Sequence, residues 1–150
     1  MRLPTYLHPI HESDHSKLIK LWAAAGCIEV RQTETPEMLA KFLKRNPGCN
    51  YAAYAGTRLI GALLAGHDGW RGYLYHMAIK PDYRGRGLGT QLVNAAVGGI
   101  RQDGVAIIHC LVKRDNQIAQ QFWDACGFES RNELLDYTLR LRPQKLMVQD

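Results

Sequence analysis

Residues 77–97 read M-A-I-K-P-D-Y-R-G-R-G-L-G-T-Q-L-V-N-A-A-V: the end of a strand, a glycine-rich turn and the opening of a helix. Upstream, Tyr73, Leu74, Tyr75, Met77 and Ile79 favour the extended chain, and Pro81, which has no N–H to donate, ends the ladder. Gly85, Gly87 and Gly89 then let the backbone take unusual φ angles and approach a ligand closely. From Leu88 the apolar residues recur at Leu92, Val93, Ala96, Val97 and Ile100, which is helical spacing. The first N–H groups of such a helix lack intrahelical partners, and the macrodipole adds partial positive charge there. With Arg84 and Arg86 beside it, this end suits an anion, and the stretch predicts a diphosphate cradle.

Two common phosphate-binding patterns do not fit the turn. A P-loop needs Gly-Lys-Ser/Thr, whereas Gly89-Thr90-Gln91 carries no lysine. The dinucleotide fingerprint G-x-G-x-x-G is replaced by G-x-G-x-G from Gly85, and no acidic residue ends a second strand about 20 positions on. A basic surface turn or an RG-type RNA contact would use the same residues, so the turn alone leaves the ligand open.

The chain has 150 residues, 46% of them hydrophobic, which suits a single domain over residues 1–150 with a substantial core. No apolar run approaches the ~18 residues that span a bilayer. The first ten residues lack the apolar centre of a signal peptide, so the cytoplasm is the expected compartment and no membrane partner is expected. Cys27, Cys49, Cys110 and Cys126 form no C-x-x-C pair and the six histidines no H-E-x-x-H, so reduced core thiols and no metal are expected. The net charge of +5 favours anionic ligands. Its basic residues are spread along the chain rather than gathered on one aromatic-laced helix, which favours a small anionic cofactor over nucleic acid.

Residues 3–10 read as a first strand. Ser13 or Asp14 caps a helix over 14–25 that stops at Gly26, and Thr35-Pro36-Glu37 opens a second helix to Arg45. Residues 51–55 and 59–65 form a hairpin, and the loop 66–72 leads to a strand over 73–79. After the glycine turn and its helix, residues 105–112 read as a buried strand. A helix over 116–126 follows, with Ile118, Ala119, Phe122, Trp123 and Cys126 inward, and residues 128–129 and 134–141 read as a final pair of strands.

Three segments resemble the GNAT family of N-acetyltransferases. Arg84-Gly85-Arg86-Gly87-Leu88-Gly89 resembles their acetyl-CoA pyrophosphate loop, R/Q-x-x-G-x-G/A. Asn116-x-x-Ala119-x-x-Phe122-Trp123-x-x-x-Gly127-Phe128 resembles their second signature, N-x-x-A-x-x-x-Y-x-x-x-G-F. Gly66-x-Asp68-Gly69-x-Arg71-Gly72 followed by Tyr75 is similar to the YpeA-like bacterial branch. The resemblance implies an α/β (α+β) fold in the order β-α-α-β-β-β-α-β-α-β-β, with a mixed sheet splayed at its centre and flanked by helices.

It also implies acetyl-CoA as co-substrate and direct attack of a primary amine on the thioester in a ternary complex. By position, the amides of Met77, Ala78 and Ile79 face the pantetheine and thioester. The amides from Arg84 through Gly85, Arg86, Gly87, Leu88 and Gly89, with Thr90 just inside the helix, hold the pyrophosphate. Asn116 lies close to the pantetheine, and a plain N-cap would explain it equally. Trp123 stands on the cofactor side where many members carry a tyrosine acid, and an indole N–H is no usable acid near neutral pH. Tyr75, and after it Tyr73, are the substitutes, since both share strand parity with Ile79 unless a bulge intervenes. His76 titrates in the right range but falls on the opposite face by strict alternation. Glu29 and Asp68 are candidates for amine recognition, although a tight turn also explains Asp68-Gly69.

Two other classes remain open on the sequence: a non-catalytic acyl-CoA-binding or sensing module on the same fold, kept alive by Trp123, and a basic RNA-binding domain using the R-G-R-G turn. The acceptor, a small-molecule or peptide amine, is not readable. The resemblance allows a homodimer joined through the last strands.

Overall fold

The computed structural model describes residues 3–26, 28–143 and 145–146; Cys27 lies outside them. Strand β1 (Thr5–Pro9) leads through a 3-10 turn (Glu12–Asp14) into helix α1 (His15–Ala25), and α2 (Pro36–Arg45) follows. Strands β2 (Tyr51–Ala55), β3 (Arg58–His67) and β4 (Gly72–Ile79) come next, then helix α3 (Leu88–Gln102), strand β5 (Ile108–Cys110) and helix α4 (Gln117–Ala125). The sheet order is β1-β2-β3-β4-β5, antiparallel through β4 and parallel between β4 and β5.

Local chemistry sets the helix ends. Gly26 closes α1 in the left-handed region at φ 76°. Thr35 Oγ1 accepts the Met38 N–H at 3.2 Å with Pro36 in the first turn, and Lys44 and Arg45 lie at the negative end of α2. Asp14 precedes α1 but does not cap it with its side chain. Its buried carboxylate accepts from the His11 N–H at 2.9 Å and the Tyr54 hydroxyl at 2.7 Å, tying the helix entrance to β2.

Helices α1 and α2 cover one face of the sheet, where Leu18, Leu21, Trp22 and Leu39 meet Ala52, Ala62 and Ala78. Helix α3 covers the other, packing Leu92, Val93, Ala96 and Ile100 on Leu63, Ala65 and Leu74. The alanines of the middle strands let a helix lie close on both faces.

The mixed sheet flanked by helices is the fold class that the sequence implies, with four differences. Gly66 and His67 extend β3, which shortens the following loop to residues 68–71. The buried strand expected over 105–112 pairs only at Ile108–Cys110, and Ile107 and Leu111 are exposed. Ile118, expected inward on α4, is also exposed. The final pair of strands is not formed among the described residues. Phe128 packs into the α3-side core, but 129–143 carries no ladder, and Leu134, Leu135, Tyr137, Leu139 and Leu141 are all more than half exposed. Alternation alone cannot make a strand: it needs an open edge of matching length, and β5 offers three residues. Further on, the Lys145 carbonyl accepts the Gln32 N–H at 3.0 Å, beside an isolated bridge between Arg31 and Leu146.

Candidate active site

The site is organised by an irregularity in β4. Ala62 pairs with Ala78 and Leu64 with Tyr75, so Leu63 alone faces both His76 and Met77. This is a β-bulge, and His76 sits in it at φ 54°, where a residue with a Cβ is strained by roughly 1–2 kcal/mol. The extra residue flips the alternation. Upstream, Tyr73 and Tyr75 face α2; downstream, Met77 and Ile79 pack on the α3 side while Ala78 lies under Trp22. The shared face expected for Tyr73, Tyr75 and Ile79 is therefore overturned. His76, expected opposite the tyrosines, joins their face. Its ring lies 4.9 Å from that of Trp22 and hydrogen-bonds the Glu34 carboxylate, and its carbonyl accepts the Trp22 Nε1–H at 3.0 Å.

Beyond the bulge β4 loses its neighbour, because β5 pairs only with residues 72–74. The Lys80 N–H donates to the Ile60 carbonyl at 2.8 Å, which fixes the phase of the ladder with β3. By alternation Ala78 turns its N–H into that ladder, and Ile79 turns its N–H and carbonyl to the open edge. The Ile79 carbonyl accepts Nε–H of Arg84 at 2.9 Å, which draws the glycine turn against this edge.

In the turn, Gly85 and Gly87 have φ 74° and 80°, and a Cβ on either would touch nothing within 4 Å. They are needed for their backbone conformation. Gly89 is different: its Cβ would lie 3.0 Å from Met77 Cε and 3.0 Å from Phe122, so a side chain there would crowd both. The first helical bond of α3 runs from the Gln91 N–H to the Gly87 carbonyl at 3.1 Å. The N–H groups of Leu88, Gly89 and Thr90 thus stand outside the helical ladder at its positive end. Arg86 stacks 4.8 Å over the Tyr83 ring and donates to the Asp82 carbonyl. Asn116 Oδ1 caps α4 by accepting the Ala119 N–H at 3.0 Å. Trp123 is half-buried edge-on between Phe122 at 5.0 Å and Phe128 at 4.9 Å.

Across the sheet, the tyrosines line a cavity of about 400 Å³ with Met38 and Phe42 of α2, Gly66, His67 and Asp68; Lys41, Arg45 and Asn46 complete it. Tyr75 meets Phe42 edge-on at 6.0 Å, and Tyr73 stacks on Tyr75 at 6.2 Å. Burial, and then the neighbouring Tyr73 and Asp68, push the Tyr75 hydroxyl above the ordinary tyrosine value. Asp68 Oδ1 accepts the N–H groups of Trp70 and Arg71 at 2.8 and 2.9 Å, which hold its carboxyl below the usual range; the turn accounts for this residue. Glu29 pairs with Arg31 at 2.6 Å on the surface.

A second acid, Glu34, reaches the bulge through His76, and the sequence reading missed it. Burial pushes its carboxyl up, but the hydrogen bonds from His76 and the Arg31 N–H, with both charges, leave it lowered. Its only sequence signal is an acidic residue immediately before the Thr35 cap. Burial also raises the thiols of Cys110, to about 11, and of Cys126. No group of three His, Cys, Asp or Glu side chains fit for a metal occurs among the described residues, and no described helix is long and apolar enough to cross a membrane.

A splayed sheet with a helix-end anion cradle on its open edge defines a class, and the comparisons name it. Residues 12–128 match the model of the acetyltransferase (GNAT) family, and the chain belongs to that family. It is similar to an acetyltransferase of Sodalis glossinidius, 28% identical over 123 residues covering 81% of this chain and 85% of that protein. An acetyltransferase of Pectobacterium atrosepticum is 28% identical over 120 residues, 79% of this chain and 84% of that one. In fold it resembles PaiA N-acetyltransferase from Thermoplasma acidophilum, solved with coenzyme A: TM-score 0.73, 20% identity, 87% of this chain and 92% of that one. It also resembles AAC(6')-Iy, solved with a CoA–acetylneamine bisubstrate analogue: TM-score 0.74, 18% identity, 91% and 99% of the two chains. The protein is accordingly an N-acetyltransferase of the GNAT family, whose members take the acetyl group from acetyl-CoA.

Proposed function

We propose that this chain moves an acetyl group from acetyl-CoA to a primary amine by direct attack in a ternary complex. The observation that carries the reading is the stretch of β4 after the bulge, paired with β3 on one edge and open on the other. It joins an anion-binding helix end on one side of the sheet to an aromatic cavity on the other. The residues fit the nucleotide: the first-turn amides of α3, the left-handed Gly85 and Gly87, and Arg84 beside them suit a pyrophosphate. Acetyl-CoA supplies the activated acetyl thioester.

The Ile79 N–H, and two residues earlier that of Met77, suit the pantetheine arm and the developing oxyanion. Ala78, committed to β3, serves as wall. Asn116 and Trp123 close the cofactor side. Tyr75 keeps its proton through the neutral range and donates it to the departing thiolate as the amine nitrogen bonds to the acetyl carbon and the C–S bond breaks. The His76–Glu34 pair stands on the same face to take the amine proton, and Tyr73 orients Tyr75. The raised Cys110 and Cys126 thiols are poor nucleophiles, which supports direct transfer over an acetyl-enzyme. A YpeA-like placement and a homodimer joined through the exposed 134–141 stretch belong to this reading. Trp123, in place of the family tyrosine, favours the second reading, an acyl-CoA-binding module without turnover.

The test is calorimetric titration of acetyl-CoA into wild type and Gly87→Asp. A Cβ at Gly87 meets no atom within 4 Å, and aspartate tolerates the left-handed region better than most residues. Binding in the wild type, weakened about 100-fold (about 2.7 kcal/mol) by the variant, is expected. No binding in the wild type at millimolar ligand sinks the proposal; tight binding with no thiol release across an amine panel transfers it to the module.

A further inference from the structure

The cavity beneath α2 says more about the acceptor than the family does. It is about 400 Å³ and open to solvent, a size that suits one small molecule. Its walls are apolar: Met38 and Phe42 from α2, Tyr73 and Tyr75 from β4. Its charge is net positive, with Lys41 and Arg45 set against the single carboxylate of Asp68. Lys41 and Arg45, four residues apart, present two cations from the same side of α2. Neither forms an ion pair with a carboxylate among the described residues. The carboxylate of the lining, Asp68, is engaged by the N–H groups of Trp70 and Arg71, and His67 is paired with Asp103 at 2.8 Å. Tyr75 lines the cavity and is the residue just before the bulge, so the cavity opens onto the place where transfer is proposed.

From this geometry we infer that the acceptor is a small amino acid-like compound: one amine, one carboxylate and an apolar side chain. The carboxylate is drawn by Lys41 and Arg45, the side chain lies on Phe42 and Tyr73, and the amine points to the bulge beside Tyr75. A guanidinium and an ammonium one helical turn apart bind a carboxylate with charge-assisted hydrogen bonds. The same two cations repel a polycationic amine, so the acceptor differs in charge from the neamine moiety held by the fold neighbour AAC(6')-Iy. This inference rests on the acetyl-transfer reading of the site.

The experiment takes L-phenylalanine and L-leucine, each against its own amide and its decarboxylated amine, with spermidine as the polycation. Thiol release from acetyl-CoA gives kcat and KM. Calorimetry gives the Kd of each compound with and without coenzyme A, and the Kd of acetyl-CoA separately. The expected result is a kcat/KM at least about tenfold higher for an acid than for its decarboxylated partner, carried mainly by KM. Lys41→Gln and Arg45→Gln each narrow that ratio several-fold while the Kd of acetyl-CoA holds. Equal or better use of the amides, the decarboxylated amines or spermidine overturns the inference. So does a ratio unmoved by both variants, or the absence of both turnover and binding for the two acids. Failure of acetyl-CoA to bind sinks the acetyl-transfer reading instead, and binding of the acids to the free protein then still decides what the cavity holds.

Discussion

The two ends of this site are made of different material. The cofactor end is backbone: first-turn amides of α3, the open edge of β4, and glycines that take left-handed φ angles or sit against Met77 and Phe122. The acceptor end is side chains, from α2, the end of β3, the loop after it and β4, brought together around one cavity. Backbone sites depend on a short local pattern and change little when surrounding side chains change. Side-chain sites depend on how distant elements stack, and each contributing residue can change alone. Cofactor binding and acceptor choice should therefore separate under mutation.

The largest effect tests the point where the ends meet. Tyr75→Phe should lower kcat about 100-fold while the Kd of acetyl-CoA stays at the wild-type value. The Tyr75 hydroxyl is raised above 10.0, so the limb of the pH–rate profile that it governs should lie on the alkaline side of that value, and the variant should lack this limb. A loss of acetyl-CoA binding in Tyr75→Phe would break the separation.

A smaller effect belongs to the acceptor end alone. A Cβ at Gly66 would lie 2.7 Å from Asn46 Nδ2 and 2.9 Å from Phe42, so Gly66→Ala must displace these side chains at the end of α2. The expected outcome is a loss of about 1–3 kcal/mol in denaturant unfolding and a higher KM for the amine, again with acetyl-CoA binding retained. Unchanged stability and KM would mean that α2 yields without cost.

The smallest effect concerns the support of the bulge. The folded-state carboxyl of Glu34 is lowered from 4.5, so its contribution to stability is complete above about pH 4.5 and is lost as pH falls through the lowered value. Glu34→Gln should remove that acid-side loss, flattening the stability curve below pH 4.5 by less than about 1 kcal/mol, since the carboxylate is partly screened by water. Parallel curves for variant and wild type would show the ion pair to be inert.

Legibility in the sequence followed the same division. The strand, turn and helix over 73–100, the Thr35-Pro36 helix start and the 51–65 hairpin are local patterns, and the structure has them all. The bulge was not legible. Nothing in Gly72-Tyr73-Leu74-Tyr75-His76-Met77-Ala78-Ile79 marks an extra residue, and a histidine stands at the left-handed position where a glycine would have advertised it. Glu34, Lys41 and Arg45 were silent for another reason: their meaning lies in what α2 and the preceding segment face, which no spacing along the chain encodes. The 134–141 stretch misled in the opposite way, since period two was present without an edge to receive it.

The slip at His76 has one more consequence. Downstream of it every side chain of β4 belongs to the opposite layer, so this strand is two short strands written out of phase on one backbone. Tyr73 and Tyr75 before the slip meet the acceptor cavity, whereas Met77 and Ile79 after it pack on the cofactor side. Removing a single residue there would exchange the two, sending Met77 and Ile79 into the space under Trp22 that Ala78 now fills. Length is therefore a constraint on this part of the chain separate from composition: a substitution changes one face at one point, whereas an insertion or deletion changes both faces at once.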